Sequence, residues 1–217
     1  MKKEGVIVLG ASGHAKVVIE LLRASGLQVD YCVGGLDSPE SCLGVAVLKG
    51  DEHLQHLREN GYTRAFVAIG SNALRQRLAH TAREAGFHLV NAISPTAVIS
   101  PTARLGKGIA IMAGVIINAE SVIEDLAIIN TGATIDHDCR IGQAVHIAPQ
   151  CALAGNVSVS EAAFLGIGCK IIPGIKIGEG ATIGAGGVVV SDIPARTLAV
   201  GIPARVIKNM TTLSETR

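Results

Sequence analysis

The 217-residue sequence has no tryptophan, two tyrosines and three phenylalanines. Aromatic residues make up only 2% of the chain, so its interior has to be built from aliphatic and small side chains. An excess of charge is missing too, with 19 Lys and Arg against 18 Asp and Glu for a net +1. No strong field draws in nucleic acid or an anionic membrane, and neither is expected as a partner. Long hydrophobic runs are absent near the start: Val6 to Gly10 is five residues, ends in glycine and leads into a helix-like segment. Neither a signal peptide nor a membrane span is therefore expected. There is no CxxC, and the cysteines number five. An odd count without that spacing predicts a reducing cytoplasm rather than a disulfide framework.

What the sequence does have is a period of six. Stepping by six from Ile99 to Val189 meets sixteen branched aliphatic residues without a miss, among them Ile111, Ile135, Leu165 and Ile183. The residue two positions earlier is small or aliphatic throughout, as at Ala97, Ile109, Ser121, Cys139 and Gly187. Six matches neither the helix period nor a heptad, so the repeat predicts a parallel β-helix. Three hexapeptides make a triangular coil of about 18 residues, and roughly five coils at about 4.8 Å each give a prism on the order of 25 Å long. So narrow an interior has no room for large rings, in keeping with their scarcity. Cys151 and Cys169 are one coil apart. A disulfide could in principle span that distance, but their inward position favours small buried thiols.

The first ninety residues read differently. Val6 to Gly10 is a compact apolar run followed by Ala11-Ser12-Gly13-His14 and a helical pattern in Val17, Val18, Leu21 and Leu22. Strand, glycine turn and helix open a nucleotide-binding βαβ unit, although GASGHA lacks the full GxGxxG. Further strands are predicted at 28–33, 45–49 and 64–69, helices at 51–60 and 71–85, and a last strand at 87–93. Ser94-Pro95 reads as the hinge, and Ser100-Pro101 as the first corner of the repeat. After Val190, Asp192, Pro194 and Pro203 break the register. Apolar residues in 197–207 are expected to cover the open edge of the last coil, and 211–217 to fray. The expected architecture is a small Rossmann-like α/β domain over 1–93, a parallel β-helix over 94–191, and a short C-terminal cap and tail over 192–217.

Candidate chemistry sits on the corners. In each hexapeptide the two residues after the aliphatic position face outward, and His137 is the second of them, after Ile135 and Asp136. Asp138 next to it can fix one imidazole nitrogen and leave the other as a base near neutral pH. The competing reading is a merely solvated polar corner. His146 lies half a coil further on, and the repeat has no other histidine. With too few ligands nearby, no metal is expected. His53, His56, His80 and His88 read as ordinary surface residues, whereas His14 follows the glycine turn, where a side chain can reach a phosphate or sugar. The late glycines, Gly166, Gly168, Gly174, Gly178, Gly180, Gly184, Gly186 and Gly187, suit corners that need positive φ and also leave a wall against which an extended ligand can lie.

Together these pieces resemble the hexapeptide acyltransferases that modify sugar nucleotides, of the bacillosamine and perosamine N-acetyltransferase type, close to sialic acid O-acetyltransferases. The resemblance is carried by the GASGHA turn, Ala68 to Asn72 with Arg75, the hexapeptides, Asp136 to Asp138 with His146, Phe164 to Gly168, and Gly201 to Ala204. It implies a left-handed coil, homotrimers with active sites between subunits, acetyl-CoA along the groove, a nucleotide sugar on the first domain, and a place in polysaccharide biosynthesis. It assigns His137 as catalytic base and Asp138 as its acidic support. His146, Ile167 and Ala185 would contact acetyl-CoA, and Ser12, Gly13, His14, Gly34, Gly35 and Gly70 the sugar nucleotide. Bacillosamine-type members have an acidic pair against uracil where this chain has Gly34-Gly35, so a guanine nucleotide becomes a candidate beside uridine. The implied reaction is N-acetylation of a 4-amino-4,6-dideoxy sugar, with O-acetylation of a hydroxyl or a non-catalytic trimeric scaffold as alternatives.

Overall fold

Val6, Ile7, Val8 and Leu9 are all buried, so the strand they form has to be covered on both faces. That strand is β1 (Lys3–Leu9), followed by α1 (Gly13–Ala24), β2 (Val29–Gly34), β3 (Ser41–Cys42), β4 (Val45–Lys49), α2 (His53–Glu59), β5 (Tyr62–Val67), α3 (Asn72–Glu84) and β6 (His88–Leu89). The six strands form one sheet in the order β3-β4-β2-β1-β5-β6, with β1 inside between β2 and β5, both parallel to it. This computed structural model describes residues 3–210, which fall into two compact units. The first runs up to Pro95 and takes in Lys107–Ala110; the second is Thr96–Gly106 with the chain from Ile111 onward.

Two details of the first unit depart from expectation. The strand expected at 87–93 is two short pieces, β6 and Ala92–Ile93. Between them Asn91 turns its side-chain oxygen to the Ile109 backbone N–H (3.1 Å), and Ala92 N–H donates to Ile109 carbonyl (2.9 Å). The second departure is β3, which pairs antiparallel with β4 around Leu43-Gly44, at φ of 47° and 77°. Two consecutive left-handed residues make the hairpin loop whose usual signature is Asn-Gly. Leucine in its first position hides the turn from the sequence.

The second unit is the β-helix. From Val98 to Val189 each strand is two residues long and pairs in parallel with the strand 18 residues on: Ile117 with Ile135, Ile135 with Leu153, Leu153 with Ile171 and Ile171 with Val189. Three faces result. The first stacks Val98–Ile99, Ile116–Ile117, Thr134–Ile135, Ala152–Leu153, Lys170–Ile171 and Val188–Val189. The second runs from Arg104–Leu105 to Lys176–Ile177, and the third includes Ile128–Ile129, His146–Ile147, Phe164–Leu165 and Thr182–Ile183. From Ile111 to Val189 every sixth residue is buried, while Ile99 and Leu105 in the first coil are half-buried.

The corners carry a second ladder. At every sixth position from Gly108 to Gly186 the backbone is left-handed, with φ between 53° and 75°. Seven of these fourteen positions are glycine and seven are not, including Leu126, Asp138, Gln150 and Asn156. A left-handed L-residue costs roughly 1–2 kcal/mol, so closure of the coil overrides local preference there. Not every late glycine serves this purpose. Gly166 lacks positive φ, but a Cβ on it would stand 2.7 Å from the Ala185 nitrogen and the Ile183 oxygen of the next coil.

Past Val190, Ile193 still bridges to Ile177, and Thr197–Gly201 lies parallel to Thr182–Ile183. The expected cover of the last coil is thus Thr197–Gly201, with Thr197 and Ala199 buried. Ala204–Asn209 then folds back antiparallel and leaves Ile202 and Ile207 exposed, so the cover is narrower than 197–207. Residues 211–217, expected to fray, lie outside the described residues. Among the described residues no helix is long and apolar enough to cross a membrane.

Ile177 is fully buried and its neighbour Lys176 exposed, as the period of two within each short strand demands. Ile177→Ala is expected to cost about 2–5 kcal/mol and Lys176→Ala no more than about 0.5 kcal/mol. Equilibrium urea unfolding measures both, and equal costs would contradict the inward register.

Candidate active site

His137 and Asp138 are the two turn residues of the corner between the first and second faces. The left-handed φ of 60° at Asp138 brings its carboxylate round to the ring beside it. Oδ2 of Asp138 accepts a hydrogen bond from His137 Nδ1 at 2.8 Å, which leaves Nε2 with the lone pair. The ring is more than half exposed. The hydrogen bond to Asp138, then the charge of Asp136, raises the His137 pKa above its ordinary value. A stronger, outward-facing base is the result.

Neighbouring coils hold this corner. Asn118, one coil below, donates its amide to Asp136 Oδ1 at 3.0 Å, and the same oxygen accepts the His137 backbone N–H at 2.8 Å. These bonds hold the Asp136 carboxyl below its usual pKa. Buried Ser121 donates to the Asp136 carbonyl (2.7 Å), Asp138 N–H donates to Ala119 carbonyl (3.0 Å), and Asn156 N–H from the coil above donates to His137 carbonyl (2.9 Å). Cys139, only two residues from the imidazole, points inward; its thiol donates to Ala154 carbonyl at 3.3 Å and is pushed up in pKa by burial. An interior thiol of raised pKa is a poor nucleophile.

The other predicted β-helix positions cluster at a different corner. Ile167 and Ala185 stand one coil apart where the third face meets the first, joined by Gly186 N–H to Ile167 carbonyl (2.7 Å). His146 lies on the adjoining third face, with its ring edge-on to Phe164 at 5.2 Å and the Asn130 amide donating to Nε2 at 3.3 Å. The structure therefore does not bring His137 to the His146, Ile167 and Ala185 group; one side of the triangle separates them. On that side lies a groove of about 360 Å³ lined by Ala152, Ala154, Lys170, Ile172, Pro173 and Val188, among others.

In the first unit, Ser12, Gly34 and Gly35 meet around a cavity of about 320 Å³ that also has Gly10, Asp37, Ser38, Pro39 and Ile69 in its walls. Ser12 is the N-cap of α1, and Gly13 and His14 open the helix, where backbone N–H groups favour an anion. His14 Nε2 is enclosed without a hydrogen-bond partner, and burial, with the nearby Arg75 charge, lowers its pKa to about 4. Arg75 is 1% exposed and donates to the carbonyls of Ile69 (3.0 Å) and Gly70 (3.1 Å) and to Asn72 Oδ1 (2.8 Å), which fixes the loop that holds Gly70. Burial lowers Arg75 to about 10, so it stays charged at neutral pH. Among the described residues no group of three or more His, Cys, Asp or Glu could hold a metal ion.

Steps of six along the sequence missed Asn118, Ser121 and Asn130. Steps of 18 expose the signal, because Asn118 and Asp136 occupy one column, and so do Ser121 and Cys139.

The family model described as the PglD N-terminal domain matches residues 5–82. The chain is 57% identical to PerB from Caulobacter crescentus, solved in complex with CoA and GDP-perosamine, covering 94% of this chain and 97% of that one at a TM-score of 0.91. It is equally similar, at a TM-score of 0.92, to a histidine-to-asparagine variant of perosamine N-acetyltransferase from the same organism. The acetyltransferase domain of PglB from Neisseria gonorrhoeae, in complex with acetyl coenzyme A, is 36% identical over 94% of this chain and 100% of that one, with a TM-score of 0.87.

The two outlying histidines should titrate in opposite directions. By NMR, His137 is expected to gain its proton above the usual value of about 6.5, so that its basic form is populated only as pH rises through that raised pKa. Asp138→Ala should move the midpoint down. His14 is expected to stay neutral until pH falls to about 4; coincident midpoints for the two rings would contradict the geometry.

Proposed function

The chain belongs to the hexapeptide, left-handed β-helix family of sugar-nucleotide acyltransferases, and from that membership we propose an acetyl-CoA-dependent N-acetyltransferase acting on the 4-amino group of a GDP-linked 4-amino-4,6-dideoxy sugar. The observation that carries the mechanism is the exposed His137 ring with Nδ1 bound to Asp138, which leaves the lone pair on Nε2. The identity of 57% across nearly the whole chain to an enzyme solved with GDP-perosamine supports the guanine nucleotide. So does Gly34-Gly35 in the cavity wall, with Asp37 as the carboxylate beside it.

In the reaction the neutral sugar amine attacks the thioester carbonyl carbon. A nitrogen–carbon bond forms, the carbonyl becomes an oxyanion, and His137 Nε2 takes the surplus proton from nitrogen. Collapse breaks the carbon–sulfur bond and the protonated imidazole returns its proton to the departing thiolate. Asp138 holds the tautomer and stabilises the imidazolium in between. Backbone N–H groups at the glycine-rich corners are suited to the oxyanion. No acyl-enzyme is required, and inward Cys139 offers none.

His146, Ile167 and Ala185 are assigned to acetyl-CoA, and Ser12, Gly13, His14, Gly34, Gly35 and Gly70 to the nucleotide sugar. The sugar-nucleotide domain is residues 1–93, the acyltransfer domain 94–191 and the cap 192–217. Placement supports a homotrimer: in one chain His137 and the residues assigned to acetyl-CoA lie at opposite edges of one face, so a convex rod would complete its site by meeting a neighbouring rod. Five buried free cysteines suit a reducing cytoplasm, and the product would serve polysaccharide biosynthesis.

His137→Ala and His137→Asn should each lower turnover about 100- to 10,000-fold, with acetyl-CoA binding retained. Thiol release monitored with GDP-, UDP- and dTDP-linked 4-amino-4,6-dideoxy sugars should be fastest with the GDP sugar. Near-wild-type turnover in both variants would sink the assignment, and faster reaction of the UDP sugar would overturn the base preference. Light scattering should give a trimer; an active monomer would contradict the shared site.

A further inference from the structure

The coil above the catalytic corner contains a glycine that the fold does not explain. Gly155 occupies the same corner position as His137, one full coil on. Of the fifteen residues at this position from Pro101 to Ala185 in steps of six, fourteen carry a side chain and Gly155 alone does not. Its φ is outside the left-handed region, so the backbone makes no demand for glycine. Neighbouring corner glycines such as Gly142 and Gly166 differ, because an added Cβ would strike the backbone of the next coil. At Gly155 it would strike the imidazole of His137 instead, 2.5 Å from both Cε1 and Nε2 and 3.1 Å from Nδ1.

We propose that Gly155 is a positioning residue for the transfer reaction: its bare Cα forms the upper wall of a cradle that lets the His137 ring lie flat against the coil while Nδ1 stays on Asp138. Below, the corner is tied by Asn118 to Asp136 and by Ala119 to Asp138. Above, the Asn156 N–H fixes the His137 carbonyl and the missing side chain admits the ring. A ring cannot move 2.5 Å from a methyl to an ordinary contact distance without turning about its own side-chain bonds. That turn carries Nδ1 off the Asp138 carboxylate. The titratable groups around the ring are Asp138, bonded to it, Asp136 on the same turn, and Glu120, which holds the register position under Asp138. The coil above offers only Gly155 and Asn156, neither of which titrates.

The proposal rests on His137 as the base, so its test includes arms that do not depend on turnover. Gly155→Ala is backbone-compatible and should fold. NMR titration of His137 in the free enzyme should show its midpoint falling toward about 6.5, as in Asp138→Ala. Turnover should drop by about 100-fold, with the KM for acetyl-CoA changed by less than about threefold. Gly155→Ala should add little further loss in an Asp138→Ala background, because both changes act through one hydrogen bond. Gly155→Ala should also lower Tm in the wild-type background and not in His137→Ala, where no ring is left to displace. An unshifted His137 titration overturns the cradle even if turnover is lost, since the methyl would then act on the substrate. An equal Tm loss in the His137→Ala background overturns it too. A shifted titration with full turnover would leave the cradle standing and defeat the assignment of His137 as base.

Discussion

Everything in the β-helix depends on one repeated interaction, the backbone hydrogen bond from a residue to the coil 18 residues away. Ile116 N–H to Ala133 carbonyl, Thr134 N–H to Cys151 carbonyl and Ala152 N–H to Cys169 carbonyl are successive rungs of one ladder. A rung that slipped by one residue would turn each aliphatic inward position to solvent. The apolar interior therefore fixes the coil length, and the coil length fixes which residues stand above one another. Seven non-glycine residues accept left-handed backbone as a consequence. At Asp138 that local cost has a use, because the same conformation presents the carboxylate to His137.

Stacking also separates two side chains of opposite character within three residues. His137 and Cys139 are neighbours in sequence, yet one is more than half exposed and raised in basicity while the other is sealed in the prism. Only a rigid corner does this reliably. The three bonds to the coil below and the two to the coil above, Asp136 N–H to Leu153 carbonyl and Asn156 N–H to His137 carbonyl, leave the turn little freedom, so the imidazole can be aimed without help from a ligand.

Much of this was legible in the sequence because a β-helix writes its core into a strict period. Ile135 and Cys139 read as inward and His137 as outward from spacing alone, and in the fold the first two are buried and the third exposed. The small sheet was legible less finely. Residues 87–93 looked like one strand since nothing local marks Asn91 as a partner of Ile109, a contact between segments far apart in sequence. Leu43-Gly44 conceals a hairpin because its turn holds an exposed leucine in a conformation usually given to asparagine. The supports of the His137 corner are illegible for a related reason. Asn118, Ser121 and Gly155 matter only through residues one coil away, and single-step periodicity averages such pairs out.

The two histidines on either side of this organisation show how environment divides one residue type into two kinds of chemistry. His137 meets water and two carboxylates, so its charged form is favoured and its neutral form is a strong proton acceptor. His14 meets a dry wall and the Arg75 guanidinium, so its charged form is suppressed and it remains neutral at physiological pH. A neutral imidazole can form a hydrogen bond to a polar ligand without adding to the positive charge that Arg75 already supplies. Desolvation is the larger of the two causes at His14. Burial, more than the identity of any one neighbour, thus suits that ring to the binding role proposed for it rather than to that of a base.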